Sequence, residues 1–177
     1  MHDDIGKAFL ESVTKRFAST KALGEGALAQ LPDADLRWTP GPESNSIAVI
    51  VQHLHGNMRS RWINFLTEDG EKPWREREAE FVEPESVDRE SILRLWEEGW
   101  DCVFAALAEL EPQVLSKSIV IRGQPLSALD AINRQLAHYS YHVGQMVYLV
   151  RMRCGGAWQT LSIARGQSKN YVPRRQD

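Results

Sequence analysis

Apolar side chains recur every three or four residues in four separate segments of the chain, and this spacing limits the possible folds more than any other feature. In the second segment the apolar residues form a single stripe at the 3.6-residue period of an α-helix. That stripe consists of Ile47, Ile50, Val51, Leu54, Met58, Trp62 and Phe65. Helices are predicted over roughly residues 5–31, 46–67, 87–110 and 127–154, without a convincing sheet. The sequence therefore predicts an all-α protein with the architecture of a four-helix bundle.

Three connections of different composition separate the predicted helices. Residues 32–42 contain three prolines and a glycine, which predicts a loop. Residues 68–85 form a long charged loop after the second helix. Such loops in compact domains are often functional, and a solvated crossover is the alternative. Residues 118–125 are rich in β-branched side chains before a glycine, so they form either a small hairpin or an extended connector.

Length and charge limit the class of protein. A chain of 177 residues suits one domain over residues 1–177, with residues 157–177 packing on the bundle or trailing from it. The net charge of −3 provides no attraction to nucleic acids or to anionic membranes. No apolar run approaches the roughly 18 residues of a membrane span. We therefore expect neither nucleic acid nor a membrane as a partner.

The cysteines and the N-terminal residues indicate a location. Cys102 and Cys154 do not make a disulfide framework and are expected to be free thiols in a reducing compartment. The first residues lack the apolar core of a secretory signal. These features favour a cytoplasmic protein.

Two histidines, His138 and His142, lie four residues apart in the fourth predicted helix. At this spacing both side chains project from one face, one turn apart, where they can bind one metal ion together. The pair lies on the flank of the apolar stripe that contains Ile132, Leu136 and Val143. Side chains of neighbouring helices converge at such a boundary, and a cleft there can admit water. The spacing therefore indicates two ligands of a metal site, and the alternative is that the two histidines lie four residues apart by chance.

The second predicted helix offers two candidates for a third ligand, His53 and His55. They lie two residues apart and project about 200° from each other, so both cannot enter one site. Each occupies an opposite flank of the stripe centred on Leu54, and geometry alone does not choose between them.

Other polar residues near these histidines limit the chemistry. The metalloprotease arrangement HExxH requires a glutamate directly after its first histidine, and Tyr139 occupies that position, which excludes a zincin. Asn57 lies four residues after His53, and Gln145 lies three residues after the last histidine. Both can orient a ligand or a substrate, or they form only a polar rim. Tyr141 can donate a hydrogen bond, and packing is its alternative role.

Two helix motifs stand out in order along the chain. Residues 46–54 read SIAVIVQHL and are followed by Arg61–Trp62, and residues 138–145 read HYSYHVGQ. They resemble the second and fourth helices of the DinB/YfiT-like superfamily, and the resemblance is closest to a subfamily of unassigned function, DUF1572. It covers nearly the whole chain. Further similar segments are DGEKP at residues 69–73, the Arg75 and Arg77 pair before Phe81, and WQTLS at residues 158–162.

The resemblance implies a bundle of the DinB/YfiT-like type that holds one divalent metal ion through three histidines. The implied ligands are His53 from the second helix and His138 and His142 from the fourth, whereas His55 matches no ligand position. Three neutral imidazoles leave an open coordination position, and zinc and nickel both suit them. The alternative is three structural histidines without a metal.

The same resemblance implies a function, namely a metal-dependent thiol S-transferase or hydrolase that acts on a small molecule. Its low-molecular-weight thiol would be glutathione, bacillithiol or mycothiol. A non-enzymatic metal-binding or stress-response module is one alternative, and a purely structural bundle that dimerises through apolar surface is another. We expect a homodimer. Five arginines are candidates for binding an anionic substrate or thiol, since arginine binds carboxylates in a bidentate manner; they are Arg59, Arg61, Arg75, Arg77 and Arg122.

Overall fold

The computed structural model describes residues 2–172 of the chain. Within this range the chain forms four long α-helices, and a two-stranded antiparallel hairpin precedes the last of them. The helices are α1 (His2–Leu28), α2 (Ile47–Trp62), α3 (Arg89–Ala108) and α4 (Ala128–Cys154), and the strands are β1 (Ser118–Ile121) and β2 (Gln124–Ser127). The all-α prediction is confirmed, and residues 118–125 adopt the hairpin alternative.

Side-chain caps fix the N-termini of the three later helices. In each case a side-chain oxygen of the residue before the helix accepts a hydrogen bond from the backbone N–H three residues further on. The caps are Ser46 for α2, Asp88 for α3 and Ser127 for α4. α4 ends before Gly155, whose φ of 53° lies in the left-handed region that glycine adopts readily. Short polar residues and one glycine therefore set boundaries that the periodicity gave only approximately.

α2 ends at Trp62, earlier than the predicted end near Thr67. The backbone of Ile63 is extended and Asn64 has a φ of 53°, so the helix does not continue through them. Phe65 nevertheless stays in the core, because its ring stacks on that of Trp62 with the centroids 5.1 Å apart. The predicted boundary was wrong because Phe65 lies at helical spacing in the sequence but is buried in the turn that follows the helix.

The helices pack mainly as two pairs, α2 against α3 and α1 against α4, and α2 also contacts α4. One aromatic side chain from each helix meets the others at the centre in edge-on or tilted contacts, which aromatic rings prefer to face-to-face stacking. These buried residues are Phe17, Trp62, Trp100 and Tyr139. The cluster fixes α2 and α4 relative to each other, and these two helices carry the histidines of interest.

The connection after α2 contacts both the hairpin and α2. The carboxylate of Asp69 accepts hydrogen bonds of 2.8 Å from the backbone N–H groups of Arg122 and Gly123 in the hairpin turn. Further along, the short 3-10 turn Glu78–Phe81 packs against α2. The long charged loop is therefore held at two points, and the second brings acidic and aromatic side chains to the face of α2 that carries His53.

Residues after α4 contact α1. The backbone N–H of Gln159 donates to Oε1 of Gln30 at 2.7 Å, and Nε2 of Gln30 donates to the Gln159 carbonyl at 3.1 Å. The side chain of Leu161 lies against Gly26, where the glycine leaves room for it. This part of the C-terminal extension therefore lies on the bundle.

Two further findings concern the state of the cysteines and the apolar character of the helices. Cys102 and Cys154 are both free thiols, as predicted. Within residues 2–172, none of the helices combines the length and the apolar character that crossing a membrane requires.

Candidate metal centre

Three histidines from two helices converge on one point. His53 projects from α2, and His138 and His142 project from α4 one turn apart. Nε2 of His138 lies 3.3 Å from Nε2 of His53 and 3.1 Å from Nε2 of His142. The three ligand nitrogens all lie within 4.8 Å of one another. His53 and His142 are buried, and His138 is half-buried.

Glu80 fixes the ring orientation and the tautomer of His53. Its Oε2 lies 2.9 Å from Nδ1 of His53, so Nδ1 donates the hydrogen bond and the lone pair of Nε2 faces the other two histidines. Arg75 holds the same carboxylate, with Nε and Nη2 donating to its two oxygens at 2.7 and 2.8 Å. Burial raises the pKa of Glu80, but the hydrogen bonds from Arg75 and His53 outweigh it and keep the pKa below its ordinary value. A carboxylate behind an imidazole is a common support of metal-binding histidines.

Gln145 plays the corresponding part for His142. Its Oε1 lies 2.9 Å from Nδ1 of His142, so this nitrogen donates and Nε2 is left to face the centre. On the other side of the site, the ring of Phe81 lies against that of His53 with the centroids 4.6 Å apart. Two of the three imidazoles are therefore held in a fixed orientation by partners outside the centre.

Two of the imidazoles are held strongly in their neutral form. Burial, the neighbouring histidines and the positive charges of Arg61 and Arg75 lower the pKa of His138 to about 3. Burial and His53 lower the pKa of His142 to about 4, although the hydrogen bond to Gln145 opposes this. Neutral imidazole is the form that donates a lone pair to a metal ion.

The donor set fits a divalent transition-metal ion. Two ligands of a tetrahedral ion lie about 3.3 Å apart when each metal–nitrogen distance is about 2.05 Å. The two Nε2–Nε2 distances of 3.3 and 3.1 Å are close to that value. Imidazole suits zinc and nickel, whereas magnesium and calcium prefer oxygen ligands. Three protein ligands leave at least one coordination position for water or substrate.

A buried hydrogen-bond chain connects the two helices that carry the histidines. Nε1 of Trp62 donates to the hydroxyl of Tyr139 at 2.9 Å, and Tyr139 donates to Oδ1 of Asn57 at 3.2 Å. Burial raises the pKa of Tyr139 well above its ordinary value, so the hydroxyl keeps its proton and continues to donate. Asn57 lies one turn after His53, and Tyr139 directly follows His138. The chain therefore sets how the two histidine-bearing turns face each other.

Gly56 makes room for Glu80 beside α2. A Cβ atom at position 56 would overlap the Glu80 carboxylate. Glycine is otherwise unfavourable inside a helix, so its presence here is explained by this close approach. Without the space at Gly56, the 3-10 turn could not bring Glu80 within hydrogen-bond distance of His53.

A pocket of about 410 Å³ adjoins the three histidines. Among the residues predicted to support the site, Asn57, Gln145, Arg61 and Tyr141 all line it. Arg61 is buried, donates to the Gly70 carbonyl and forms an ion pair with Glu71 at 3.0 Å. Tyr141 is largely exposed, and its ring edge contacts that of His142. The pocket gives a small molecule access to the centre.

The structure brings the three predicted ligands together and leaves His55 outside. His55 lies on the opposite flank of α2, where its Nε2 is 3.0 Å from Oε2 of Glu98 on α3. The choice that spacing alone left open is therefore resolved by which neighbour each flank of α2 faces. His53 faces α4, and His55 faces α3.

Glu80 makes the closest polar contact to His53 outside the centre, and the sequence did not predict it. Glu80 is one of many acids in residues 68–85, and nothing in its spacing distinguishes it from the others. The sequence signal for Glu80 was indirect. Arg75 and Phe81, which lie near Glu80 in the chain, belong to a segment that resembles DUF1572, and Arg75 contacts Glu80 in the structure.

Comparison with known protein families places the chain in a family of unknown function. A family model described as "Protein of unknown function (DUF1572)" matches residues 4–167. No curated protein and no solved structure matches the chain. The matched range includes the three histidines, Glu80 and the arginines of the pocket.

Proposed function

The chain belongs to the DUF1572 family, whose function is unknown, and we propose that it binds one divalent transition-metal ion and uses it in a reaction on a small molecule. His53, His138 and His142 would be the ligands, with zinc or nickel as the ion. The observation that carries the proposal is the convergence of their three ligand nitrogens. Hydrogen bonds from the outer nitrogens of His53 and His142 to Glu80 and Gln145 further support it, because such partners orient metal-binding histidines.

The charges around the site favour an anionic ligand at the open position. When bound, the metal ion would supply Lewis acidity and lower the pKa of a ligand such as a thiol. The three neutral imidazoles add no negative charge to offset that of the ion, and arginines line the pocket. A thiolate is therefore stabilised there relative to its thiol.

The pocket wall favours a thiol over water as the nucleophile. Its described residues include no aspartate or glutamate. Glu80 is engaged by His53 and Arg75 and is not free to accept a proton from a substrate. A metal ion held by three histidines also lowers the pKa of bound water to near neutral, but hydrolytic metal sites commonly add a carboxylate that serves as a general base. A thiol with an ordinary pKa of about 8.5 loses its proton to solvent once that pKa is lowered and needs no such carboxylate. This supports a thiol S-transferase more than a hydrolase.

The proposed transfer needs no reactant besides the thiol and the electrophilic substrate. The thiolate sulfur forms a bond to an electrophilic carbon of the second substrate, the leaving group departs with the bonding pair, and the thiol proton passes to solvent. The resemblance of both helix motifs to the DinB/YfiT-like superfamily supports this chemistry. Glutathione and bacillithiol carry carboxylates that arginines can bind, and mycothiol carries none, so the pocket favours the first two.

Metal binding without catalysis is the second candidate, as in a stress-response module. The absence of a carboxylate among the described residues of the pocket wall suits this role as well. A pocket of about 410 Å³ beside the histidines favours the enzyme, because a purely structural ion needs no access for a substrate.

Thiol turnover tests the proposed reaction. Protein loaded with zinc or nickel is incubated with glutathione, bacillithiol or mycothiol and a chromogenic aryl halide, and thioether formation is followed by absorbance. We expect metal-dependent turnover that is lost in His138→Ala and kept in His55→Ala, a matched control outside the centre. Equal rates in His138→Ala and wild type would contradict the proposal. No turnover with any thiol would leave the non-catalytic metal site.

A further inference from the structure

Among the residues that the structure describes, five arginines and no acidic residue line the pocket beside the histidines. Two of them are buried in its wall and three are exposed to solvent. The buried pair is Arg61 and Arg75, and the exposed residues are Arg77, Arg122 and Arg134. The metal ligands and their supports account for only one of the five, Arg75, through its contact with Glu80.

Nearby carboxylates neutralise these arginines only in part. Three glutamates pair with four of the arginines, and the fifth, Arg134, forms no ion pair within residues 4–172. The pocket therefore keeps an excess of two positive charges before any metal ion is counted. The pairs are Glu80 with Arg75, Glu78 with Arg77, and Glu71 with both Arg61 and Arg122.

One buried donor in this wall lacks an acceptor. Nη1 of Arg75 lies 4.0 Å from Oε2 of Glu71 and has no hydrogen-bond partner among the described residues. Buried N–H donors in native proteins are rarely unpaired. The other polar side chains of the wall include the amides of Asn45, Asn57 and Gln135, which can donate to an anion without adding negative charge.

We propose that these arginines form an anion subsite, which binds a carboxylate or phosphate group of the small molecule whose reacting atom lies at the histidine centre. The position of that reacting atom rests on the proposed function, whereas binding of the oxyanion does not. Guanidinium groups bind either oxyanion through paired N–H donors. The volume of about 410 Å³ accommodates a small organic anion.

Arg134 is the residue that connects the subsite to the centre. It precedes His138 by four residues on α4, so the two side chains lie on one face of the helix, one turn apart. The side chain of Arg134 is exposed and carries no competing ion pair within the described range, so its guanidinium is available to a ligand. The substrate would therefore carry its oxyanion only a few atoms from the group that reacts.

The test is isothermal titration of the full-length protein with small anions. Succinate and methyl phosphate are the probes for the two oxyanions, and succinamide is the uncharged analogue. The titrations use wild type, Arg134→Gln, Arg122→Gln and the matched control Arg151→Gln. Arg151 lies on the same helix, about 25 Å further along at 1.5 Å per residue, and outside the pocket. Each protein is titrated with and without added zinc, and its metal content is measured.

We expect at least one anion to bind wild type, with a dissociation constant that rises about tenfold or more in Arg134→Gln and Arg122→Gln and stays unchanged in Arg151→Gln. Succinamide should give no saturable heat. Whichever anion shows the arginine dependence identifies the oxyanion. Equal affinities in Arg134→Gln and wild type, or no saturable binding of either anion, would overturn the subsite.

The two proposals fail in distinguishable ways. Arginine-dependent binding in a protein that takes up no zinc would support the subsite and contradict the metal centre. Stoichiometric zinc with anion binding that ignores Arg134 and Arg122 would support the metal centre and contradict the subsite.

Discussion

Nδ1 of His53 and Oε2 of Glu80 lie 2.9 Å apart, although 26 residues separate them in the chain and only one of them is in a long helix. The contact turns the lone pair of His53 toward His138 and His142. Two other residues of this region make the contact possible. Arg75 donates a hydrogen bond to the Glu80 carboxylate, and Gly56 leaves room for that carboxylate beside α2.

Replacing Glu80 should weaken metal binding. Glu80→Gln keeps the shape of the side chain but removes the charge that holds His53 and pairs with Arg75. Loss of such an outer partner typically weakens metal binding about 10- to 100-fold, measured here by competition with a chelator. Glu78→Gln, an exposed acid of the same turn, is the control and should bind as wild type does. Equal affinities in Glu80→Gln and wild type would show that the contact does not support the centre.

Two glycine substitutions should change stability in opposite directions. Alanine is usually better than glycine inside a helix by about 1 kcal/mol, and Gly144→Ala on α4 has open space for its Cβ, so it should be stabilised. In Gly56→Ala the added Cβ meets the Glu80 carboxylate, so the free energy of unfolding and the metal affinity should both fall. Urea denaturation and chelator competition measure them. A stabilised Gly56→Ala with normal metal affinity would contradict the close approach.

Removing one hydroxyl should loosen the connection between α2 and α4. Tyr139→Phe leaves the buried Nε1 of Trp62 without its acceptor, and an unpaired buried donor costs about 1–3 kcal/mol. Urea denaturation should show a loss in that range. Tyr148→Phe on the exposed surface of the same helix is the control and should stay close to wild type. If Tyr139→Phe loses no more unfolding free energy than Tyr148→Phe, the hydrogen bonds that connect Trp62, Tyr139 and Asn57 add nothing to stability.

The loop anchor at Asp69 should depend on pH. Burial raises the pKa of Asp69, but hydrogen bonds from the backbone N–H groups of Glu71, Gly123 and Arg122 outweigh it and lower the pKa below its ordinary value of 3.8. A group with a depressed pKa stabilises the fold above its ordinary pKa, and this stabilisation is lost as pH falls through the pKa of the folded state. The difference in unfolding free energy between wild type and Asp69→Asn should therefore shrink between about pH 5 and about pH 3.

The matched control for this prediction is Asp101→Asn, which removes an exposed acid of α3. A difference between Asp69→Asn and wild type that stays constant over the same pH range would show that the carboxylate charge does not hold the hairpin turn.

Helical periodicity predicted the four helices and the two histidine-bearing faces because apolar spacing reports burial directly. The same property caused the error at the end of α2, where Phe65 is buried in a turn. Spacing could not choose between His53 and His55, since the choice depends on whether a flank of α2 faces α4 or α3. Only tertiary packing supplies that information.

Glu80 and Arg134 show why the surroundings of the site could not be predicted as well as its ligands. Glu80 lies in an irregular connection whose path depends on contacts with α2 and the hairpin, so no periodicity places it. Arg134 lies at helical spacing from His138, but an exposed arginine four residues away is ordinary on a helix surface. Its significance depends on the four other arginines around the pocket.

Elemental analysis of protein purified without a metal-affinity tag tests the central claim most directly, with His53→Ala and His55→Ala analysed beside wild type. The two variants remove the same side chain from opposite flanks of α2, and only His53 faces the other two histidines. We predict one equivalent of zinc or nickel per chain in wild type and in His55→Ala, and loss of that metal in His53→Ala. Stoichiometric metal retained by His53→Ala, or wild type that takes up no divalent ion when it is supplied in excess, would contradict the three-histidine centre.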